Sequence, residues 1–207
     1  MAPLPPDRID LGAGSLGTGV ERAFALRRLR VGDAPKVAGA VGDNLEHLKP
    51  WMPWAGKESA DTRFQRRRLA EADLQWARGA DFGYGLFATG ADGFESLLGA
   101  FGLTARRGPK TLEIGYWLRA DATGYGLATR AVSALTDAAL SVDGVERVLV
   151  YCDEANHASA AIPRRLGFTV DRIVAVPPEA TAETGLQQEW VVRAAEWREL
   201  RAAAGRD

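Results

Sequence analysis

The sequence has few of the residues from which disulfides and metal sites are built. Cys152 is the only cysteine among 207 residues, and there are two histidines. A single cysteine allows no disulfide within the chain and is typical of a reducing compartment. One cysteine and two histidines also cannot supply the four ligands of a structural zinc site. The sequence therefore predicts no metal centre.

Charge and hydropathy argue against two further classes of partner. The chain has 26 lysine and arginine residues against 27 aspartate and glutamate residues, a formal net charge of −1. This balance provides no global basic field, so we expect neither nucleic acid nor an anionic membrane as a partner. No apolar run is long enough to span a bilayer, and MAPLPPDRIDLGAG lacks the basic and apolar regions of a secretory signal. We expect a cytoplasmic protein.

The composition is that of an ordinary globular domain, with 46% apolar and 26% charged residues. Proline and glycine near the start predict a flexible tail over residues 1–20. One domain is expected over 21–197, followed by a C-terminal tail over 198–207. A short amphipathic helix is predicted over 194–206.

Alternating and helical periodicities predict an α/β fold with one mixed sheet. The first strands form antiparallel pairs, and a parallel crossover then runs through a central helix. Helices are predicted after Asp33, over 57–79, from Gly126 to about residue 142, and over 156–165. The predicted strands are 22–30, 82–88, 97–104, 111–118, 145–152, 169–176 and 186–193.

The central feature is the turn Gly124-Tyr125-Gly126 between the strand TLEIGYWL and the following helix. Glycines allow close approach of a ligand, and the first amides of a helix have no acceptor within the helix. Together with the helix dipole, these amides favour a phosphate or pyrophosphate. A short Gly-x-Gly motif also fits a plain strand-to-helix turn without a ligand.

A second strand, VERVLVYC, leads into Asn156 and a short helix that ends before Gly167. Gly167 stands where a left-handed helix stop is expected. Cys152 closes an apolar run, and no neighbour in the sequence lowers its pKa. A buried structural thiol is therefore favoured over a nucleophile.

These motifs resemble the GNAT acetyltransferase superfamily, in particular its RimJ/RimL-like branch of N-terminal amine acetyltransferases. The resemblance implies a GNAT-like fold of about seven strands, with the central parallel strands splayed apart. It also implies acetyl-CoA as co-substrate, no metal, and a monomer or homodimer. The matching segments are Glu113–Leu118, Gly124-x-Gly126-x-Ala128, Asn156-x-x-Ser159, Leu166-Gly167-Phe168, Leu29-Arg30 and Trp51–Trp54.

The resemblance also implies where acetyl-CoA binds. The pantetheine arm is expected between the two splayed strands, with Asn156 bonding its amide, capping the helix, or doing both. The family often has arginine or glutamine where this chain has Asp121, so Arg119 or Arg130 is expected to supply the positive charge. The residues carried over are Trp117, Leu118 and Arg119 for the arm, and Gly124, Tyr125, Gly126, Leu127, Ala128 and Thr129 for the pyrophosphate.

For catalysis, many family members have a tyrosine at the position that Pro163 occupies here. Ser159 is therefore the candidate proton donor to the departing thiolate, the alternative being an inert residue in the first helical turn. Glu113 is the candidate base, directly or through water, and its alternative is an exposed strand carboxylate. Water could also carry the proton away without a dedicated base. Further candidates are Glu189, His157 and His47, the last also explained as a surface histidine.

Aromatic residues are candidates for the wall of the acceptor site, although each could simply pack on the core. The function implied is acetyl transfer to a primary amine of a protein N-terminus, an amino acid or an aminoacyl-type small molecule. One alternative is a non-catalytic CoA-binding sensor. Another is an NAD-binding Rossmann oxidoreductase, disfavoured because Thr129 takes the third glycine position and residues 119–123 separate strand and turn. The wall candidates are Trp51, Trp54, Tyr84 and Trp190.

Overall fold

An eight-stranded mixed sheet organises residues 4–204, the part of the chain that the computed structural model describes. Its spatial order is β1-β2-β3-β4-β5-β6-β8-β7. The β5–β6 pair is parallel and the other neighbouring pairs are antiparallel. The predicted mixed α/β sheet is confirmed, with one strand more than expected. The strands are β1 (Arg8–Ser15), β2 (Glu21–Arg28), β3 (Asp81–Thr89), β4 (Glu95–Thr104), β5 (Thr111–Leu118), β6 (Arg147–Asp153), β7 (Thr169–Ala175) and β8 (Leu186–Arg193).

Helices lie on both faces of this sheet. α3 begins later than its polar sequence predicted, because the Asp61 side chain caps it by accepting a bond from the Phe64 amide at 2.8 Å. No helix among residues 4–204 is both long and apolar enough to cross a membrane. The helices are α1 (Ala34–Gly42), α2 (Leu45–Leu48), α3 (Thr62–Ala77), α4 (Leu127–Leu140), α5 (His157–Arg165) and α6 (Ala194–Ala204).

Strand alternation divides the buried apolar side chains into two clusters. One cluster joins Ile114 of β5 to Leu135 of α4. The other joins Trp117 of β5 to Val37 of α1 and Leu69 of α3. Since Ile114 and Trp117 lie on opposite faces of β5, this strand separates the two layers of the domain.

The parallel strands β5 and β6 pair along only part of their lengths. Their register runs from Thr111 opposite Arg147 to Ile114 opposite Val150 and ends there. β5 continues to Leu118 along β4, while β6 continues along β8. The two strands therefore diverge, as the resemblance implied, and open a gap beside the carboxyl end of β5.

The prediction of a flexible tail over residues 1–20 is wrong for Arg8–Ser15, which form β1 and pair with β2. The sequence pattern was misleading because Gly12 lies at an irregularity in the register, with φ of 77°, and interrupts the alternation. Ile9 and Leu11 nevertheless pack against the core. Residues 1–3 lie outside the described part of the chain.

The helix predicted over residues 194–206 is present as α6, which crosses the domain boundary predicted at residue 197 and ends at Ala204. Trp197 is 4% exposed, and its indole nitrogen donates a 2.7 Å hydrogen bond to the Asp137 carboxylate. α6 is therefore anchored to α4. The last three residues, 205–207, lie outside the described range.

Candidate active site

The gap between β5 and β6 opens into a cavity of about 750 Å³, here called the α4 cleft. It lies between the end of β5, the start of α4 and the first turns of α5. Among its lining residues are Trp51, Met52, Tyr116, Trp117, Leu118, Gly124, Gly126, Leu127, Ala128, Thr129, Arg130, Asn156, Ser159 and Arg165.

The start of α4 faces this cleft with bare backbone. Gly124 and Gly126 have φ of 84° and 72°, a left-handed conformation that glycine adopts without strain. Gly126 occupies the N-cap position, and no side chain caps the helix. The amides of the first helical turn are therefore available to an anion, which the helix dipole also favours.

Eight of the ten residues predicted for cofactor binding line the α4 cleft, and Arg119 and Tyr125 do not. The Arg119 guanidinium instead donates to Asp121 at 2.6 and 3.0 Å. Tyr125 is 43% exposed, with its hydroxyl beside Gly17. The ion pair neutralises the unexpected Asp121, and Arg130 and Arg165 are the arginines that line the cleft.

A second cavity of about 670 Å³, here called the α3 cavity, lies on the other face of β5. The loop before α3 and the loop before β8 close over it, joined by a 3.0 Å hydrogen bond from the Ala182 amide to the Pro50 carbonyl. Its lining includes Trp51, Trp54, Arg68, Asp81, Gly83, Gly102, Thr104, Arg106, Glu113, Gly115, Tyr116, Trp117, Cys152, Asp153, Asn156, Ser159, Glu179 and Glu183.

The two cavities meet at Tyr116 and Ser159, which line both. The Tyr116 hydroxyl lies 3.1 Å from the Ser159 Oγ and 3.1 Å from the Ser159 carbonyl oxygen. Burial raises the pKa of Tyr116, and the hydrogen bond with Ser159 only partly offsets this effect. Sequence reasoning missed Tyr116, although it stands beside Trp117 in the matching motif.

Asn156 holds Ser159 in place at the start of α5. Its side-chain oxygen accepts a 3.0 Å hydrogen bond from the Ser159 amide, so the helix-cap role is confirmed. Asn156 also lines both cavities, which keeps it available for a ligand.

Glu113 lies in an environment that argues against its predicted role as a base. It is 3% exposed, and its carboxylate accepts hydrogen bonds from Arg106 at 2.5 and 3.0 Å and from Arg107 at 2.6 Å. Burial alone would raise the pKa of Glu113, but these bonds outweigh it and leave the pKa lowered. A carboxylate held by two guanidinium groups is a poor proton acceptor, and it is not the exposed strand carboxylate of the alternative.

The further base candidates differ in their positions: Glu189 is already bonded, His157 lies outside both cavities, and His47 lies at the α4 cleft. Glu189 is 4% exposed and accepts a 3.0 Å hydrogen bond from Arg172. His157 lines neither cavity, whereas His47 lines the α4 cleft.

Two of the four predicted wall residues lie at the α3 cavity and two do not. Trp51 and Trp54 line it, and the ring centroid of Trp54 lies 6.1 Å from that of Trp117. Tyr84 is fully buried in the cluster that contains α4, and its hydroxyl donates to the Pro6 carbonyl at 2.8 Å. Trp190 is 4% exposed in the same cluster. The prediction for Tyr84 and Trp190 is wrong because both side chains point to the opposite face of the sheet.

Carboxylates line the α3 cavity in two different environments. Burial raises the pKa of Asp81, despite the positive charges of Arg68 and Arg106. Burial also acts on Asp153, but bonds from Ala155, Thr184 and Gly185 outweigh it and lower its pKa. Asp153 therefore fixes the loop before β8. No group of three or more His, Cys, Asp or Glu residues within 4–204 is placed to hold a metal ion.

Comparison with known proteins identifies the class. Residues 24–169 match the family described as the Acetyltransferase (GNAT) domain. The chain belongs to this family of acetyltransferases, as its motifs predicted. It is 27% identical over 150 residues to YdaF of Bacillus subtilis, named as a ribosomal N-acetyltransferase, covering 72% of this chain and 79% of YdaF.

Solved structures share the fold at lower identity. Mycobacterium smegmatis RimJ in complex with CoA-disulfide aligns with a TM-score of 0.78 and 20% identity, over 99% of this chain and 98% of RimJ. RimL, a ribosomal L7/L12 alpha-N-protein acetyltransferase in complex with coenzyme A, aligns with a TM-score of 0.73 and 20% identity. That alignment covers 87% of this chain and 97% of RimL.

Proposed function

We propose that this enzyme transfers the acetyl group of acetyl-CoA to the α-amine of a protein N-terminus. The observation that carries the proposal is the meeting of two cavities at Tyr116 and Ser159, on opposite faces of β5. One cavity ends at bare helix amides and suits a diphosphate carrier. The other contains aromatic and acidic side chains and suits an amine.

Acetyl-CoA fits the α4 cleft in a direction that follows from its chemistry. The pyrophosphate would accept hydrogen bonds from the amides of Leu127, Ala128 and Thr129. The pantetheine arm would lie along the unpaired edge of β5, in the manner of an added strand. The thioester would then lie beside Tyr116 and Ser159.

The reaction requires attack of a neutral amine on the thioester carbonyl. A carbon–nitrogen bond forms, the carbon–sulfur bond breaks, the nitrogen loses a proton as the amide forms, and the thiolate receives a proton. The Arg119 amide donates to Leu98 of β4. Since strand amides alternate in direction, the Leu118 amide points toward the diverging edge. It is the proposed donor to the oxyanion.

The hydroxyl groups of Tyr116 and Ser159 are the proposed proton donors to the departing thiolate. A raised pKa keeps Tyr116 protonated at neutral pH. The proton of the substrate ammonium leaves through the α3 cavity, which holds the carboxylates of Asp81, Glu179 and Glu183. Glu113 has no place in this scheme because two arginines already hold it.

Relatives support the choice of a protein acceptor, because YdaF is named as a ribosomal N-acetyltransferase and RimL as a ribosomal L7/L12 alpha-N-protein acetyltransferase. The test is thiol release from acetyl-CoA with peptides, amino acids, polyamines and aminoacyl-adenylate analogues. Mass spectrometry would place the acetyl group on the α-amine of peptides. Transfer only to side-chain or polyamine nitrogens would contradict the proposal.

A thermal melting assay distinguishes the proposed acetyltransferase from the two alternatives, an NAD-binding oxidoreductase and a non-catalytic CoA-binding sensor. A ligand at a hundred times its Kd stabilises the folded state by about 2.7 kcal/mol, so acetyl-CoA should raise the Tm by several degrees. Protection by NAD(H) without protection by acetyl-CoA would favour an oxidoreductase. Protection by acetyl-CoA without transfer to any amine would favour a sensor.

A further inference from the structure

Three glycines stand side by side across the central strands of the sheet. Gly83 of β3 is opposite Gly102 of β4, and Gly102 is opposite Gly115 of β5. All three line the α3 cavity. We call this row the glycine trough.

Neither backbone conformation nor packing requires glycine in the trough. None of the three is among the residues with positive φ. A Cβ atom added at Gly83 or Gly115 would meet nothing within 4 Å, and at Gly102 its nearest neighbours would be 3.9 Å away. Alanine would fit at each position.

Two other strand glycines, Gly85 and Gly99, have no room for a Cβ atom. A Cβ atom at Gly85 would lie 2.4 Å from the Phe87 ring, and one at Gly99 would lie 2.2 Å from the Trp117 carbonyl oxygen. Those two are required by close packing inside the protein. A strand glycine with open space above it instead marks a place where a ligand can approach the backbone closely.

The side chains beside the trough form one polar and one apolar wall. Asp81, Thr104 and Glu113 are in register on one side, and Ala100 and Trp117 are in register on the other. Asp81 forms no salt bridge within residues 4–204, and burial raises its pKa. The Thr104 hydroxyl oxygen is also buried, and no hydrogen-bond partner lies near it among residues 4–204. The polar wall thus has bonding capacity that the protein itself does not use.

The trough has the length of a short peptide segment. Neighbouring strands are about 4.8 Å apart, so Gly83 and Gly115 are separated by roughly 10 Å, the length of about three extended residues. Gly115 precedes Tyr116, at the junction of the two cavities. A chain lying in the trough would present its end to the thioester.

We propose that the glycine trough binds the first three residues of an extended polypeptide, with the α-amine at the Gly115 end. This inference rests on the proposed function and specifies its substrate class. The acceptor is then a polypeptide N-terminus, and a single amino acid or compact aminoacyl nucleotide would leave the Gly83 end empty.

The test measures KM for acceptor amides of one to five residues. We expect KM to fall with each residue up to the third and then to stay constant. Gly83→Val should raise KM about tenfold for acceptors of three or more residues and leave single-residue amides unchanged, since one added group in a binding pocket has effects of this size. Gly115→Val should raise KM for every acceptor.

Gly83→Ala is the smaller variant to use if the valine variant does not fold. Gly39→Ala is the control, because Gly39 is exposed on α1 outside both cavities and its added Cβ would meet nothing within 4 Å. KM for acetyl-CoA should not change in any variant. KM independent of acceptor length, or equal effects of Gly83→Val on single-residue and tripeptide amides, would overturn the trough while leaving the proposed function intact. No transfer to any amine would overturn both.

Discussion

The Tyr116 hydroxyl of β5 and the Ser159 hydroxyl of α5 lie 3.1 Å apart at the gap where β5 and β6 diverge. They are 43 positions apart in the sequence. Each belongs to an element on one side of the gap, so the pair occupies the point where a thioester held in the α4 cleft would face the α3 cavity. If the two hydroxyls donate the proton together, removing either should impair the same step.

We expect Tyr116→Phe and Ser159→Ala each to lower kcat by about 100-fold, the lower end of the range for general acid catalysis. The double variant should be little slower than the slower single variant, because the two residues act as a unit. KM for acetyl-CoA should change little. Steady-state thiol release measures both constants, and full kcat in both single variants would rule out the pair.

The dependence of kcat on pH gives an independent check of the proposed role of Tyr116. An acid catalyst must be protonated, so its contribution is lost as pH rises through its pKa. Because burial raises the pKa of Tyr116 above the ordinary value near 10, kcat should not fall between pH 7 and 10. A decline of kcat in this interval that Tyr116→Phe leaves unchanged would identify a different titrating group.

Glu113 should matter for stability and hardly for chemistry. We expect Glu113→Gln to lower the free energy of unfolding by about 2 kcal/mol at pH 7, because it breaks a buried carboxylate's pairing with two partly exposed arginines. The lowered pKa means that this contribution is present above the unfolded value of roughly 4.3 and is lost as pH falls through the folded value. Wild type and variant should therefore converge in acid.

Urea denaturation at pH 7 and near pH 3 measures the Glu113 effect, with kcat measured alongside. A large loss of kcat with unchanged stability would restore Glu113 as a base. Arg107→Lys provides a milder partner variant, since it keeps the charge but not the guanidinium geometry.

The sequence was most informative where structure is local. The Gly124-Tyr125-Gly126 turn and the apolar periodicity after it placed the start of α4 correctly, at Leu127. Helix amides and glycine conformations follow from a few neighbouring residues, which is why eight of the ten residues predicted for cofactor binding line the α4 cleft.

Features that depend on distant partners could not be read from the sequence. β1 exists because β2 pairs with it, and its glycines concealed the alternation. Tyr84 and Trp190 were assigned to the acceptor wall by residue type, whereas the face of the sheet decides their position. Tyr116 becomes a candidate proton donor only because α5 brings the Ser159 hydroxyl to 3.1 Å from it.

Cys152 should behave as an unreactive thiol. It is buried, as expected from its apolar run, and burial raises its pKa to about 11. Against an ordinary thiol with a pKa near 8.5, we expect alkylation by iodoacetamide at pH 8 to be at least about a hundredfold slower in the folded chain. The urea-unfolded chain is the control, and equal rates in both states would contradict the burial of Cys152.

Gly99 and Gly102 of β4 should respond in opposite ways to the same substitution. An added Cβ at Gly99 would lie 2.2 Å from the Trp117 carbonyl oxygen and 2.9 Å from the Leu118 Cα, which are backbone atoms that can move only with β5. Gly99→Ala should therefore lower the free energy of unfolding by about 3 kcal/mol, as in strong overpacking. Gly102→Ala meets only contacts at 3.9 Å and should be neutral or stabilising by up to about 1 kcal/mol, since alanine restricts the unfolded chain. Denaturant midpoints of the two variants measure the difference, and similar midpoints would contradict the close approach of β4 to β5 at Gly99.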